Sequence, residues 1–137
     1  MSTPYRSDYE PPFPVLTIFL RDEDEQLGPF PALLDSGADT TLIPTRPLEQ
    51  VGAAESEQVR IRSHFGEYQE AQLYLVSIQI NGLFLPGLYV VGDDVGNEII
   101  LGRNILNKLP LFLDGPKGQT EVLDDAIVQR LRVRREG

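Results

Sequence analysis

Residues 31–44 read PALLDSGADTTLIP and place a carboxylate where a buried strand should end. Ala32, Leu33 and Leu34 run straight into Asp35, Ser36-Gly37 turns the chain, and Asp39 adds a second acid before the apolar Leu42 and Ile43. In such a turn Gly37 lets the backbone approach closely, and its amide can donate to the Asp35 carboxylate. Ser36 supplies a hydroxyl that can tie the loop to a partner. A lone D-S-G reads as an Asx-type turn, whose acid bonds its own backbone and does no chemistry. The second reading is an acid held ready to exchange a proton with water.

A second motif favours chemistry. Ile99–Asn104, IILGRN, is an apolar strand that meets Gly102 and leads into a helix. ALLDSGADTT followed, one hairpin later, by IILGRNILNKL resembles the retropepsins, the retroviral-type aspartic proteases. The resemblance spans roughly Pro14–Gly115. It implies a mostly-β closed barrel of the acid-protease type, with one short C-terminal helix and a flap hairpin. It also implies an aspartic endopeptidase that hydrolyses peptide bonds with an activated water, Asp35 being the catalytic acid and Ser36 and Gly37 supporting its loop.

Two carboxylates sharing one proton can activate water and protonate a leaving amine, because like charges about 3 Å apart cannot both ionise; the aspartic-protease dyad is itself the standard example of that rule. This chain carries a single D-S-G. The second acid must then come from a second copy, giving a C2 homodimer with Asp35 meeting its mate on the axis. The resemblance further assigns substrate contacts to Gly37, Asp39, Leu33, Leu42, Gly66 and Ile100, and an intrasubunit pair to Asp39 and Arg103. It implies no cofactor and no metal; the substrate is a peptide or unfolded protein. The rival reading is a catalytically weak protease-like domain kept for dimerisation or peptide binding.

The flap departs from the family pattern. Retroviral flaps are glycine-rich at the tip, whereas RSHFGEYQE offers only Gly66. His64 reads as an exposed hairpin residue, and Tyr68 could hydrogen-bond into the site.

The elements that must hold these residues are mostly strands. VLTIFL and FPALL form a hairpin around the charged RDEDEQLG, whose acids read as loop solvation. VRIRS and YQEAQLYLVSIQI alternate apolar and polar residues and form a longer hairpin with one wet face. Asn81-Gly82 is a two-residue hairpin turn into LFLPGLYVV. PLEQVGAAESE is either a helical turn or irregular. EIILGRNILNKLP is the one good helix candidate, with Ile105, Leu106 and Leu109 on one face. LFLD and TEVLD pair as strands around GPKG. The last segment, acidic at its start and basic at its end, suits a helix dipole. Three parts follow: an extended arm over 1–13, a protease-like domain over 14–115, and a C-terminal extension over 116–137 that extends an interface, folds back as a hairpin or dangles.

Composition limits the alternatives. At 137 residues the chain is long enough to bury one core. Cysteine is absent, which excludes disulfides and thiolate chemistry, and the single histidine cannot build a His-rich zinc site. A net charge of −9 argues against nucleic acid or an anionic membrane as partner. No apolar run approaches the roughly 20 residues of a membrane span, so the expectation is a soluble, cytoplasmic protein.

Overall fold

The structure is a computed structural model and describes residues 2–62 and 66–136. Strand β1 (Ser2–Pro4) opens the chain, and β2 (Val15–Asp22) pairs antiparallel with β3 (Glu25–Leu34). Only Glu23 and Asp24 lie between the last two, so the charged connection is a tight turn, with Glu23 at φ 45°. The acids that flank it, Asp22 and Glu25, pair across the strands.

Beyond the Asp35 loop come β4 (Leu42–Pro44) and α1 (Thr45–Val51). The helix tolerates Pro47 because the ring sits in its first turn, where no intrahelical N–H bond is lost. Leu48 and Val51 bury one stripe, and Gly52, at φ 80°, closes the helix with its N–H on the Glu49 carbonyl. β5 (Ala54–Arg62) and β6 (Tyr68–Ile80) form the long hairpin, and β7 (Leu83–Asp93) returns through Asn81-Gly82, with Asn81 at φ 52°. In β6 the alternation is strict: Tyr74, Val76, Ile78 and Ile80 are buried, their neighbours half-exposed.

Of the two readings of EIILGRNILNKLP, the strand that meets Gly102 and leads into a helix is the one that forms, as β8 (Ile99–Leu101) and a single helical turn, α2 (Arg103–Leu106). β8 is drawn out by pairing: parallel to β3, with Leu33 opposite Ile100, and antiparallel to β4 through Leu42. A buried central strand reads as a short apolar run, which periodicity alone cannot tell from helix. β9 (Leu111–Asp114), β10 (Gln119–Val122) and α3 (Asp125–Glu136) complete the chain. The Asp124 carboxylate caps α3 by accepting the Ile127 N–H at 2.9 Å.

The main sheet runs β2-β3-β8-β4-β7-β6-β5, and β2 also pairs with β6. Six strands therefore close into a barrel and β5 continues beyond β6 as a flap. The interior is aliphatic: Leu16, Ile18, Leu20, Ile43, Ile78 and Leu101 are fully buried. At about 1.5–3 kcal/mol for each such side chain, this core is the main driving force of folding.

A second, three-stranded sheet has the order β1-β10-β9. The N-terminal arm is thus docked on the chain's own C-terminal hairpin, Ser2 opposite Glu121. Arg6 and Phe13 exchange both backbone bonds, at 2.9 and 3.0 Å. Arg6 also pairs with Asp8 and, at 3.5 Å, with Glu98, and the Tyr9 hydroxyl donates to Glu98.

Candidate active site

Asp35 follows the last residue of β3 and is held from three directions. Its N–H donates to the Leu101 carbonyl at 3.0 Å, fixing it to β8. Its own carbonyl accepts the Ala38 N–H at 3.1 Å, which closes the turn. The Gly37 N–H donates to Asp35 Oδ1 at 2.9 Å and orients the half-exposed carboxylate.

The loop is interlocked with the start of α2. The Arg103 N–H donates to the Ala38 carbonyl at 2.8 Å. Thr41, fully buried, accepts the Gly102 N–H at 3.0 Å and donates its hydroxyl to Asn104 Oδ1 at 2.7 Å. Asn104 then donates to the Tyr89 carbonyl at 3.0 Å, and the Val91 N–H reaches the Thr41 carbonyl at 2.9 Å. The two segments approach so closely that a Cβ on Gly102 would lie 2.4 Å from the Thr40 carbonyl oxygen. Only glycine fits there. The motif glycine is a packing requirement between two backbones.

Below the flap lies a cleft of about 850 Å³. Of the residues expected in the site, Asp35, Gly37, Asp39, Leu42, Ile100 and Arg103 line it. Ser36 is exposed beside it. Leu33, expected at a subsite, is only 5% exposed and is not in the lining. Gly66 is exposed at the flap end and is likewise not in the lining; His64 lies outside the described residues. Nor does the expected Asp39–Arg103 pair form. Among the described residues the ion pairs are those of Arg6 with Asp8 and Glu98. Arg103 Nη1 donates instead to the Ser36 carbonyl at 2.8 Å, and Asp39 Oδ1 accepts the Thr40 hydroxyl at 3.3 Å.

The flap contributes Val59, Arg60, Ile61, Arg62 and Tyr68 to the lining, and Tyr68 is 63% exposed. The alternation in VRIRS marks Val59–Arg62 as a strand, and the lining takes consecutive residues from both of its faces. At the flap's base Tyr74 is buried, and its hydroxyl is held above the ordinary tyrosine range, first by desolvation and then by Glu55. No cluster of three or more metal-ligating side chains occurs among the described residues.

A barrel with a flap, an Asp-Ser-Gly turn and a glycine locked beneath it defines a retropepsin-like aspartic-protease domain. The profile described as "gag-polyprotein putative aspartyl protease" matches residues 26–108, well over half of the chain, and the protein belongs to that family. Among solved structures, EIAV protease complexed with the inhibitor HBY-793 shares 24% identity at a TM-score of 0.54, covering 70% of this chain and 86% of that one. A retropepsin-like aspartic protease from Rickettsia conorii shares 13% identity at a TM-score of 0.58, covering 88% of each. Both likenesses speak to the fold. No curated protein sequence matches.

Proposed function

We propose that this chain is an aspartic endopeptidase whose working form is a homodimer, with Asp35 from each copy making up the catalytic pair. The observation that carries the reading is Asp35 itself: an acid on an interlocked turn, oriented by the Gly37 amide, on the wall of a cleft under a hairpin. One carboxylate takes a proton from water as the water attacks the peptide carbonyl, and the other protonates the leaving nitrogen. The barrel chain supplies one such acid, so the reaction needs two chains.

Within this reading Ser36, exposed on the loop, hydrogen-bonds across the two-fold axis. Gly37 and Asp39 hold substrate backbone, while Leu42 and Ile100, half-buried on adjacent paired strands, form an apolar subsite wall. Water is the nucleophile, so the residues named are sufficient for the step.

The test is digestion of a denatured protein mixture by the pure protein, with and without a statine-type inhibitor, beside Asp35→Asn. Asparagine keeps the size and the acceptor for Gly37 but cannot exchange the proton. Inhibitor-sensitive cuts that fall at least a hundredfold in the variant are expected, in the range such general acid–base groups contribute. Variant activity within tenfold of the parent would remove Asp35 from the chemistry. Peptide binding with no cleavage by either protein would establish the binding-module reading instead.

A further inference from the structure

The cleft carries more basic than acidic side chains, against the balance of the chain as a whole. The protein has 21 acidic residues against 12 basic ones. Four of the basic residues, Arg130, Arg132, Arg134 and Arg135, lie in α3. Of the eight left, three line this one cleft: Arg60 and Arg62 from the flap strand, and Arg103 beside the Asp35 loop. Against them the lining holds only Asp35 and Asp39.

The flap pair is placed to meet a ligand. Arg60 and Arg62 alternate with Val59 and Ile61 along β5, so the two guanidinium groups leave the same side of the strand. In register, Arg62 faces Tyr68 and Arg60 faces Glu70. Arg60 nonetheless makes no ion pair with Glu70 within 4.0 Å, nor does either arginine with Glu67, among the described residues. The Arg60 guanidinium lies instead over the Tyr68 ring, 5.9 Å from its centroid. A cation held near a ring face is attracted without using its N–H donors, and a guanidinium fork can bind a carboxylate with two parallel bonds.

We propose that Arg60 and Arg62, with Tyr68 as platform, make the cleft selective for peptides that carry an acidic side chain beside the bond to be cut. This rests on the endopeptidase reading above and names its substrate class. The chain's overall negative charge repels acidic peptides at long range. The flap arginines supply attraction at short range, inside the cleft.

The test uses matched synthetic peptides derived from a sequence the protein cuts, with Glu, Gln or Lys at each of the four positions on either side of the scissile bond. At one position or more, kcat/KM for Glu is expected to exceed that for Lys by about tenfold or more, carried mainly by KM. In the double variant Arg60→Gln/Arg62→Gln the ratio drops to below about twofold, and in Arg60→Glu/Arg62→Glu it inverts. The parent ratio also shrinks in high salt. Lys108→Gln/Lys117→Gln, an equal change of net charge at exposed positions outside the cleft, keeps the parent ratio. Cleavage with no charge preference, or a preference that persists in the double Gln variant, overturns the inference and leaves the endopeptidase reading standing. If no peptide is cut, the endopeptidase reading fails, and fluorescence anisotropy of labelled acidic and basic peptides decides the inference. Tighter acidic binding lost in the double variant supports it, and equal binding overturns it.

Discussion

Replacing Thr41 by valine tests whether hydrogen bonding or packing holds the Asp35 loop. Valine keeps the β-branched shape, so the fully buried site loses no volume. What goes is the hydroxyl that accepts from Gly102 N–H at 3.0 Å and donates to Asn104 Oδ1 at 2.7 Å. Gly102 is buried, and its orphaned N–H costs about 1–3 kcal/mol. Asn104 is half-buried, so water replaces part of its lost bond, and the added loss is about 0.5–1 kcal/mol. A net 2–3 kcal/mol, about a quarter of a typical domain's stability, corresponds to a fall in Tm of roughly 6–15 °C at this chain length. Thermal melts and guanidinium titrations with an unchanged m-value measure it. Thr41→Ser supplies the sign. Serine keeps the hydroxyl and loses a methyl, about 1 kcal/mol. If bonding dominates, valine is the worse substitution although it fits better; if packing dominates, serine is. A valine variant as stable as the parent, or more stable than serine, would refute the account. So would a Thr41→Val/Asn104→Ala cycle showing no coupling beyond about 0.5 kcal/mol.

Gly102→Ala should be harsher, because its Cβ would meet backbone at 2.4–2.9 Å: a loss above about 3 kcal/mol is expected, read as a Tm drop or as insoluble expression. If each copy supplies half a site, co-refolding the parent with excess Asp35→Asn should poison its activity in proportion to heterodimer formed, and dilution should lower specific activity; a monomer by sedimentation with concentration-independent activity would contradict this. The docked arm should respond to both pH extremes. The bond from Arg6 holds the Asp8 carboxyl below its ordinary range, so that link is present above the usual carboxylate pKa and lost only as pH falls through the lowered value. The bond to Glu98 raises the Tyr9 hydroxyl, so that link persists at neutral pH and is lost as pH rises through a value above the usual tyrosine pKa. Amide-exchange protection at Arg6 and Phe13 should therefore be flat across neutral pH and decline beyond both limits, and a decline between pH 6 and 8 would refute the assignment.

What could be read from the chain before the structure was local. The Asn81-Gly82 turn, the alternation in β6 and the D-S-G turn each depend on a few adjacent residues, and the structure has all three. Where two local readings competed, distant partners decided. EIILGRNILNKLP has a helical stripe, yet its first part is the strand that β3 and β4 need between them. PLEQVGAAESE divides at Gly52 because Leu48 and Val51 have a core to enter. The arm over 1–13 read only as extended, with nothing to say what it docks on, since its partner β10 begins more than a hundred residues later.

The same distinction separates the two halves of the candidate site. Asp35 and its glycine are legible because a tight turn on a carboxylate has a residue code. The buttress is not, because Thr41 and Asn104 are 63 residues apart and neither is unusual where it stands. A threonine after Asp39-Thr40 reads as the start of a strand, and an asparagine after Arg103 reads as a helix residue. Their function exists only once β8 lies between β3 and β4, bringing Gly102 under Thr40 with no room for a side chain. Asp35 therefore takes its position from barrel closure: the Leu101 carbonyl that anchors its N–H belongs to a strand made by two others. Damage to the barrel should move the acid before it unfolds the chain, which makes Thr41→Val a test of the site as much as of stability.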